Sequence, residues 1–362
     1  MEASVLANAC GSHLCDCRTA ANSETVDGVV LIAERRHVRH KVGVLLEQAD
    51  GVRLEGADWS NRLQALVDQL SFSERAALLA APLTGRSKGI ALPVEDVLKR
   101  AHTEWLPGLL NGFDLYPHLQ PIVSLTDGRT YGHESLLRGR VGDRELNGGE
   151  IVDAARAHGA IFTLDLVGRT VALEQGMPKL VDDEVLFVNF TPTAIYDPEV
   201  CLRTTWAIAR RHGLPMSRIC FEVVETEQYP DVAFLRRILE EYRGQGAMVA
   251  LDDLGAGHSS LTYLDALRPD VVKLDRELVS GIDRDSPRQR LVGALIDYAH
   301  ELDVRVVAEG IETETELAVI ADLGADLGQG WYLGRPAADP VRVERRLVMD
   351  ALAGDVHAIS LG

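Results

Sequence analysis

Apolar and polar positions change rhythm near residue 95. Upstream, Gly28–Ala33, Val42–Leu46 and Val52–Glu55 read as strands, the last after the turn signal Ala49, Asp50, Gly51. Over residues 60–80, Leu63, Leu66, Val67 and Leu70 share one helical face, and Ser73, Glu74 and Arg75 restart a second helical run. Pro82 to Pro93, with Gly85, Ser87 and Gly89 between, predicts a linker. Residues 1–94 are therefore expected to form a small α/β module with a regulatory or dimerising role.

Downstream, strand and helix patterns alternate. A helix over Val94–Asn111 leads into a strand at Leu119–Leu125, and the turn Thr126–Arg129 returns the chain as Tyr131–Arg138. The first two strands are thus expected as an antiparallel hairpin. Apolar strands follow at Val185–Phe190, Ile219–Val224, Met248–Leu251, Val271–Leu274 and Arg305–Ala308, with a weaker one at Asp326–Gly328. Helical segments such as Asp231–Tyr242 and Pro287–Leu302 fill the gaps. Eight strands with intervening helices predict an α/β fold, a modified (β/α)8 barrel over residues 95–350, followed by a tail at 351–362.

The stretch with the strongest chemical character is Val249–Ser260, an apolar run ending in Asp252 and Asp253 before a loop containing Gly255 and Gly257. Two adjacent carboxylates at a strand end can share a divalent metal, or one of them can cap a following helix. Other strand ends supply similar groups: Glu134, Asn189, Glu222 with Glu225, Lys273, Glu309 with Glu312, and Gln329. In a barrel, such ends gather at one rim. Almost all the potential ligands are oxygens, which selects Mg²⁺ or Mn²⁺ over zinc. A two-metal site suits in-line phosphoryl displacement, with Lys273 orienting or deprotonating the water; pairing Lys273 with Asp275 or a rim acid is the structural alternative. Lyases and isomerases of the enolase type also place strand-end carboxylates and a lysine on a barrel, so these residues alone leave both chemistries open.

Composition narrows the partners. The 362 residues are 46% hydrophobic and 25% charged, with a net charge of −18. Such a charge argues against polymeric nucleic acid, while a small anion can enter an acidic rim if cations invert the local field. No apolar run is long enough to span a membrane, and the N-terminus lacks the pattern of a signal peptide, so a cytoplasmic location is expected. Cys201 and Cys220 read as small core residues. Cys10, His13, Cys15 and Cys17 form one tight cluster, whereas structural zinc sites divide their ligands between separated pairs. A tail with free thiols and a metal or redox sensor both remain open there.

In order along the chain, Gln120–Val123, Glu134–Arg138, Asn189, Glu222–Glu225, Asp252–Ser260, Lys273–Asp275, Ala308–Glu312 and Gln329–Gly330 resemble the motifs of the EAL family of cyclic di-GMP phosphodiesterases. The resemblance covers roughly residues 95–350. It implies metal ligation by Glu134, Asn189, Glu222, Asp252, Asp253 and Glu309, with Lys273, Glu134, Asp252 and Glu225 as catalytic residues. Glu225 would hold the loop after Asp253 and link metal binding to a homodimer interface. Gln120, Arg138, Asn189, Asp275, Glu312 and Gln329 would bind substrate, Arg138 at a phosphate. The implied reaction is hydrolysis of cyclic di-GMP to linear pGpG. The alternatives are a silent cyclic di-GMP receptor that signals to a partner protein, or a barrel enzyme acting on another substrate. Ser135, Gly139, Leu254, Ala256 and His258 depart from the usual residues without removing a ligand; Gly139 implies a locally more open substrate cleft, and Leu254, Ala256 and His258 imply altered packing of the loop after Asp253.

Overall fold

In the computed structural model, residues 26–46, 53–85, 87–112, 114–181, 183–223, 231–255 and 260–353 are described. Cys10, His13, Cys15, Cys17, Glu225, Ala256 and His258 lie outside them. The described chain divides into two compact units, one of residues 26–114 with 139–164, the other of 115–138 with 165–353. No helix among the described residues is long and apolar enough to cross a membrane.

The smaller unit is built on an antiparallel sheet. Gly28–Ala33 lies between Arg53–Glu55 and Leu78–Thr84, and Leu78–Thr84 also pairs with Ser87–Lys88 and Leu92–Pro93. Val29, Leu31, Leu54, Leu78 and Ala80 from the strands pack with Val38, Val42, Trp59, Leu63, Val97 and Leu98 from the helices. Three expectations change here. Val42–Leu46 is not a strand, because Val38 and Val42 stand one turn apart on the helix Arg36–Leu45 and both are buried. Leu78–Thr84 is a strand rather than the end of a helix or a linker, since its apolar run pairs along the whole of Gly28–Ala33. A short apolar run does not by itself distinguish the two states; pairing decides. The helix expected over Val94–Asn111 is divided into Val94–His102 and Leu106–Gly112.

The larger unit contains the barrel strands β1 (Leu115–Ser124), β2 (Thr130–Val141, shared with the smaller unit), β3 (Val185–Phe190), β4 (Ile219–Val223), β5 (Met248–Leu254), β6 (Val271–Leu274), β7 (Arg305–Ala308) and β8 (Leu327–Gln329). Parallel pairing runs from β2 through β3 to β8. The reversed strand β1 closes the circle, antiparallel to β8 and joined to β2 by the hairpin. This is the modified barrel that the apolar pattern predicts. Gly128, at φ 70°, supports the turn between β1 and β2.

Paired residues on neighbouring strands face the same side of a sheet. Ile122, Val185, Phe187, Cys220, Ala250, Val271, Val307 and Leu327 accordingly form one buried layer across the barrel interior. Outside, the ring of Tyr242 on helix Val232–Gly244 stacks on Phe221 of β4 with centroids 4.0 Å apart, which fixes that helix against the strand. Cys201 and Cys220 are buried free thiols, as expected.

Candidate active site at the barrel mouth

Two residues beyond the apolar layer, each strand changes chemistry. Phe187 is followed at that spacing by Asn189, Cys220 by Glu222, Ala250 by Asp252, Val271 by Lys273, Val307 by Glu309 and Leu327 by Gln329. On the reversed strand β1 the same step runs backwards, from Ile122 to Gln120. The period of two therefore places a polar layer directly on the apolar one. Glu134 joins it from β2, in register with Phe187 of β3.

Lys273 is the centre of this layer. Its Nζ lies 2.6 Å from Glu309 Oε1, 3.1 Å from Glu222 Oε1, 3.2 Å from Asp252 Oδ1 and 3.4 Å from Glu134 Oε2. Asn189 Nδ2 donates to Glu134 Oε1 at 2.9 Å, and Gln329 Nε2 donates to Glu134 Oε2 at 2.8 Å and to Gln120 Oε1 at 3.2 Å. Gln120 in turn donates to the carbonyl of Gly334.

Asp252 and Asp253 are sequence neighbours, which on a regular strand would point to opposite faces. The pairing of β5 with β6 shifts register between Leu251 and Leu254, and Asp253 takes a left-handed φ of 58°. This irregularity re-aims one side chain, and a left-handed aspartate is among the less costly exceptions to L-residue sterics. Carboxylate oxygens of Asp252, Asp253 and Glu309 consequently lie within 4.8 Å of one another.

The charge balance shows what this arrangement can hold. Glu134, Glu222, Asp252, Asp253 and Glu309 surround or flank one ammonium, an excess of four negative charges when all are ionised. Among the protein groups alone, burial pushes Glu222 and Asp252 up, and Glu309 up to about 8, because one lysine does not offset their desolvation and mutual repulsion. Burial would raise Glu134 as well, but Lys273, Gln329 and Asn189 hold it below the usual carboxylate range. Burial would lower Lys273, yet the surrounding carboxylates keep it well above the usual lysine range. Neither oxygen of Glu222 makes a hydrogen bond among the described residues, and Gln329 Oε1 is likewise buried and unbonded. Hard oxygen donors, orphaned buried oxygens and four surplus negative charges fit two divalent cations of the Mg²⁺ or Mn²⁺ type.

A cavity of about 190 Å³ opens beside Glu134, lined by Gln120, Glu309, Glu312, Gln329, Arg276 and Trp331. Of the residues expected to bind substrate, Gln120, Glu312 and Gln329 line this cavity, and Asn189 bonds to Glu134. Arg138 lies four residues beyond Glu134 on the same face of β2, outside the cavity lining. Asp275 Oδ1 accepts the N–H of Glu277 at 2.6 Å, capping the short helix Arg276–Val279. Arg276 and Trp331 line the cavity without having been expected to do so. The one available signal was their position immediately after the strand-end motifs.

The EAL domain family matches residues 103–336. The cyclic di-GMP phosphodiesterase NbdA of Pseudomonas aeruginosa is 32% identical over 252 residues, which are 68% of this chain and 31% of that protein. Among solved structures, a standalone EAL protein of Vibrio cholerae O395 in its c-di-GMP-bound form is 31% identical, covers 65% of this chain and 97% of its own, and superposes with a TM-score of 0.60. BlrP1 of Klebsiella pneumoniae, in a manganese and cyclic di-GMP complex, is 28% identical over 64% of this chain and 58% of its own, with a TM-score of 0.57. The first three curated relatives are covered over 20%, 30% and 50% of their lengths, so the chain spans at most half of each.

Proposed function

We propose that this chain, which belongs to the EAL domain family, hydrolyses one phosphodiester bond of cyclic di-GMP to give linear pGpG. The observation that carries the reading is the ring of carboxylates around Lys273 at the barrel mouth. Glu134, Asn189, Glu222, Asp252, Asp253 and Glu309 would hold two divalent cations, Mg²⁺ or Mn²⁺. When bound, these cations supply Lewis acidity toward the phosphodiester and make a water nucleophile available at neutral pH.

The protein groups then have separable tasks. Lys273 Nζ, ringed by Glu309, Glu222, Asp252 and Glu134, would donate to the attacking water and orient it. Asn189 and Gln329 hold Glu134 in one orientation through both its oxygens. Arg138 donates to a substrate phosphate, while Gln120, Glu312 and Gln329 line the cleft. Asp275 offers the substrate the oxygen that its helix cap does not use. The water oxygen becomes a phosphate oxygen, the P–O3′ bond breaks, and a proton ends on the departing 3′-hydroxyl. Glu225 would order the loop after Asp253 and couple the site to a homodimer, and residues 1–94 would carry the regulatory input.

The test is turnover of cyclic di-GMP by the full chain with Mg²⁺ or Mn²⁺, beside Asp252→Asn. Formation of pGpG that the variant abolishes is the expected result. Binding without product would replace the enzyme reading by that of a receptor.

A further inference from the structure

The smaller unit carries a cationic surface on a chain whose net charge is −18. The run Glu34–Lys41 holds Arg35, Arg36, Arg39 and Lys41 against a single carboxylate. Val38 and Val42 of helix Arg36–Leu45 are buried in the unit's core, so Arg36, His40 and Val44, spaced four apart, line the opposite, exposed face. Neither Arg35 nor Arg36 pairs with a carboxylate among the described residues, and the guanidinium of Arg39 donates to the carbonyl of Ala33. The first turn of the helix has no acidic residue, although that end of a helix favours anions. These cations do nothing for the helix that carries them.

Apolar side chains flank the cations. Phe72 is 85% exposed and Val44 63%, and with Ile90 they are the most exposed large hydrophobic residues among those described. Val44 stands three positions past Lys41, on the same side of the helix. Lys41 Nζ lies 2.8 Å from Glu74 Oε2, and the same oxygen accepts the N–H of Ser71 in the cap of the short helix Phe72–Arg75. That pair ties the two helices together and brings Phe72 to the edge of the cationic face.

We propose that this face docks on an anionic phospholipid membrane, with Arg35, Arg36 and Arg39 at headgroup phosphates and Phe72 and Val44 entering the interface. A lipid surface offers phosphate and hydrocarbon side by side, which is the pairing that the face presents. A nucleic acid supplies phosphates and bases to stack on, but no depth of hydrocarbon to receive the aliphatic Val44. The net charge opposes the approach of any extended anion, yet salt confines that repulsion to roughly 10 Å, so a contact through one face is decided locally. None of these residues belongs to the barrel unit, so docking and hydrolysis can fail separately.

The experiment is cosedimentation of the full chain with phosphatidylglycerol and with phosphatidylcholine vesicles, at low and high salt. The wild type should pellet with phosphatidylglycerol at low salt, lose that binding at high salt, and ignore phosphatidylcholine. Arg35→Ala with Arg36→Ala should weaken binding about tenfold to thirtyfold, while the paired Arg→Lys changes keep most of it. Phe72→Ala should weaken it about tenfold or more, and all these variants should melt with the wild type because the side chains are exposed. No binding to phosphatidylglycerol, or binding unchanged in both alanine variants, overturns the proposal. Capture of a short DNA duplex in place of vesicles would overturn it in favour of nucleic acid, and a salt-sensitive dimer without vesicle binding would overturn it in favour of a second copy.

Discussion

Glu222→Gln is expected to raise stability and abolish activity together. Glu222 is fully buried, neither of its oxygens makes a hydrogen bond among the described residues, and its nearest cation is an ammonium shared with three other carboxylates. Each pKa unit by which burial and repulsion raise a carboxylate counts about 1.4 kcal/mol against its charged form. Glutamine has the same shape and removes one of the four surplus charges, so in chelator the variant should gain about 1–3 kcal/mol. For a domain of this size that corresponds to a melting temperature higher by roughly 2–12 °C.

Manganese reverses the order. A ligand that binds only the folded state adds about 2.7 kcal/mol at a concentration of 100 Kd. The wild type should gain this in full, and the variant, lacking one ligand oxygen, should gain less. Thermal melts of both proteins in chelator and in a manganese series measure the two effects, with pGpG formation assayed in parallel. A variant that melts below the wild type in chelator, or an equal manganese shift in both, would refute the argument that Glu222 is a charge kept for a cation.

Two other substitutions test neighbouring parts of the reasoning. Lys273→Met removes the ammonium from four carboxylates, so turnover should fall about 10²–10⁴-fold while manganese binding, followed by calorimetry, stays equal or tightens; turnover within tenfold of wild type would end the orienting role. Gly330→Ala forces a methyl group to 2.1 Å from the Ile311 oxygen and should cost about 1–3 kcal/mol in thermal unfolding along with cyclic di-GMP affinity. The control is Gly108→Ala on helix Leu106–Gly112, where a Cβ meets nothing within 4 Å and stability should rise by about 0.5–1 kcal/mol.

The barrel was legible because its strands carry apolar residues on both faces, and continuous runs such as Val185–Val188 and Val271–Val272 survive any choice of register. The polar layer was legible for a related reason, since most of its members stand two positions from an interior residue on their strand. The bulge at Asp253 was not. The sequence placed both carboxylates at a strand end before a loop, yet they reach the site through a register shift with β6, a strand some twenty residues away. In the smaller unit, Val42–Leu46 and Leu78–Thr84 were misread because apolar content alone does not say whether a segment will find a helix face or a strand partner. Arg276 and Trp331 were missed because their role depends on a cavity wall assembled from two loops.

The same construction suits the proposed substrate, a phosphodiester entering the mouth of so acidic a chain. If the carboxylates stood on flexible loops, they would move apart or take up protons, and little would be gained by bringing in a cation. Here each is fixed by the strand beneath it, and the apolar layer leaves no room to retreat. Lys273, Gln329 and Asn189 together hold Glu134 below the usual carboxylate range, while burial and repulsion push Glu222, Asp252 and Glu309 up. The layer is therefore expected to cost stability when empty and to favour positive charge at this one place. Cations bound there would invert the field at the mouth of the barrel, and the net charge of −18 on the chain would still disfavour longer polyanions. Glu222→Gln separates these two sides of the arrangement, because it should return the stability and remove the demand in one substitution.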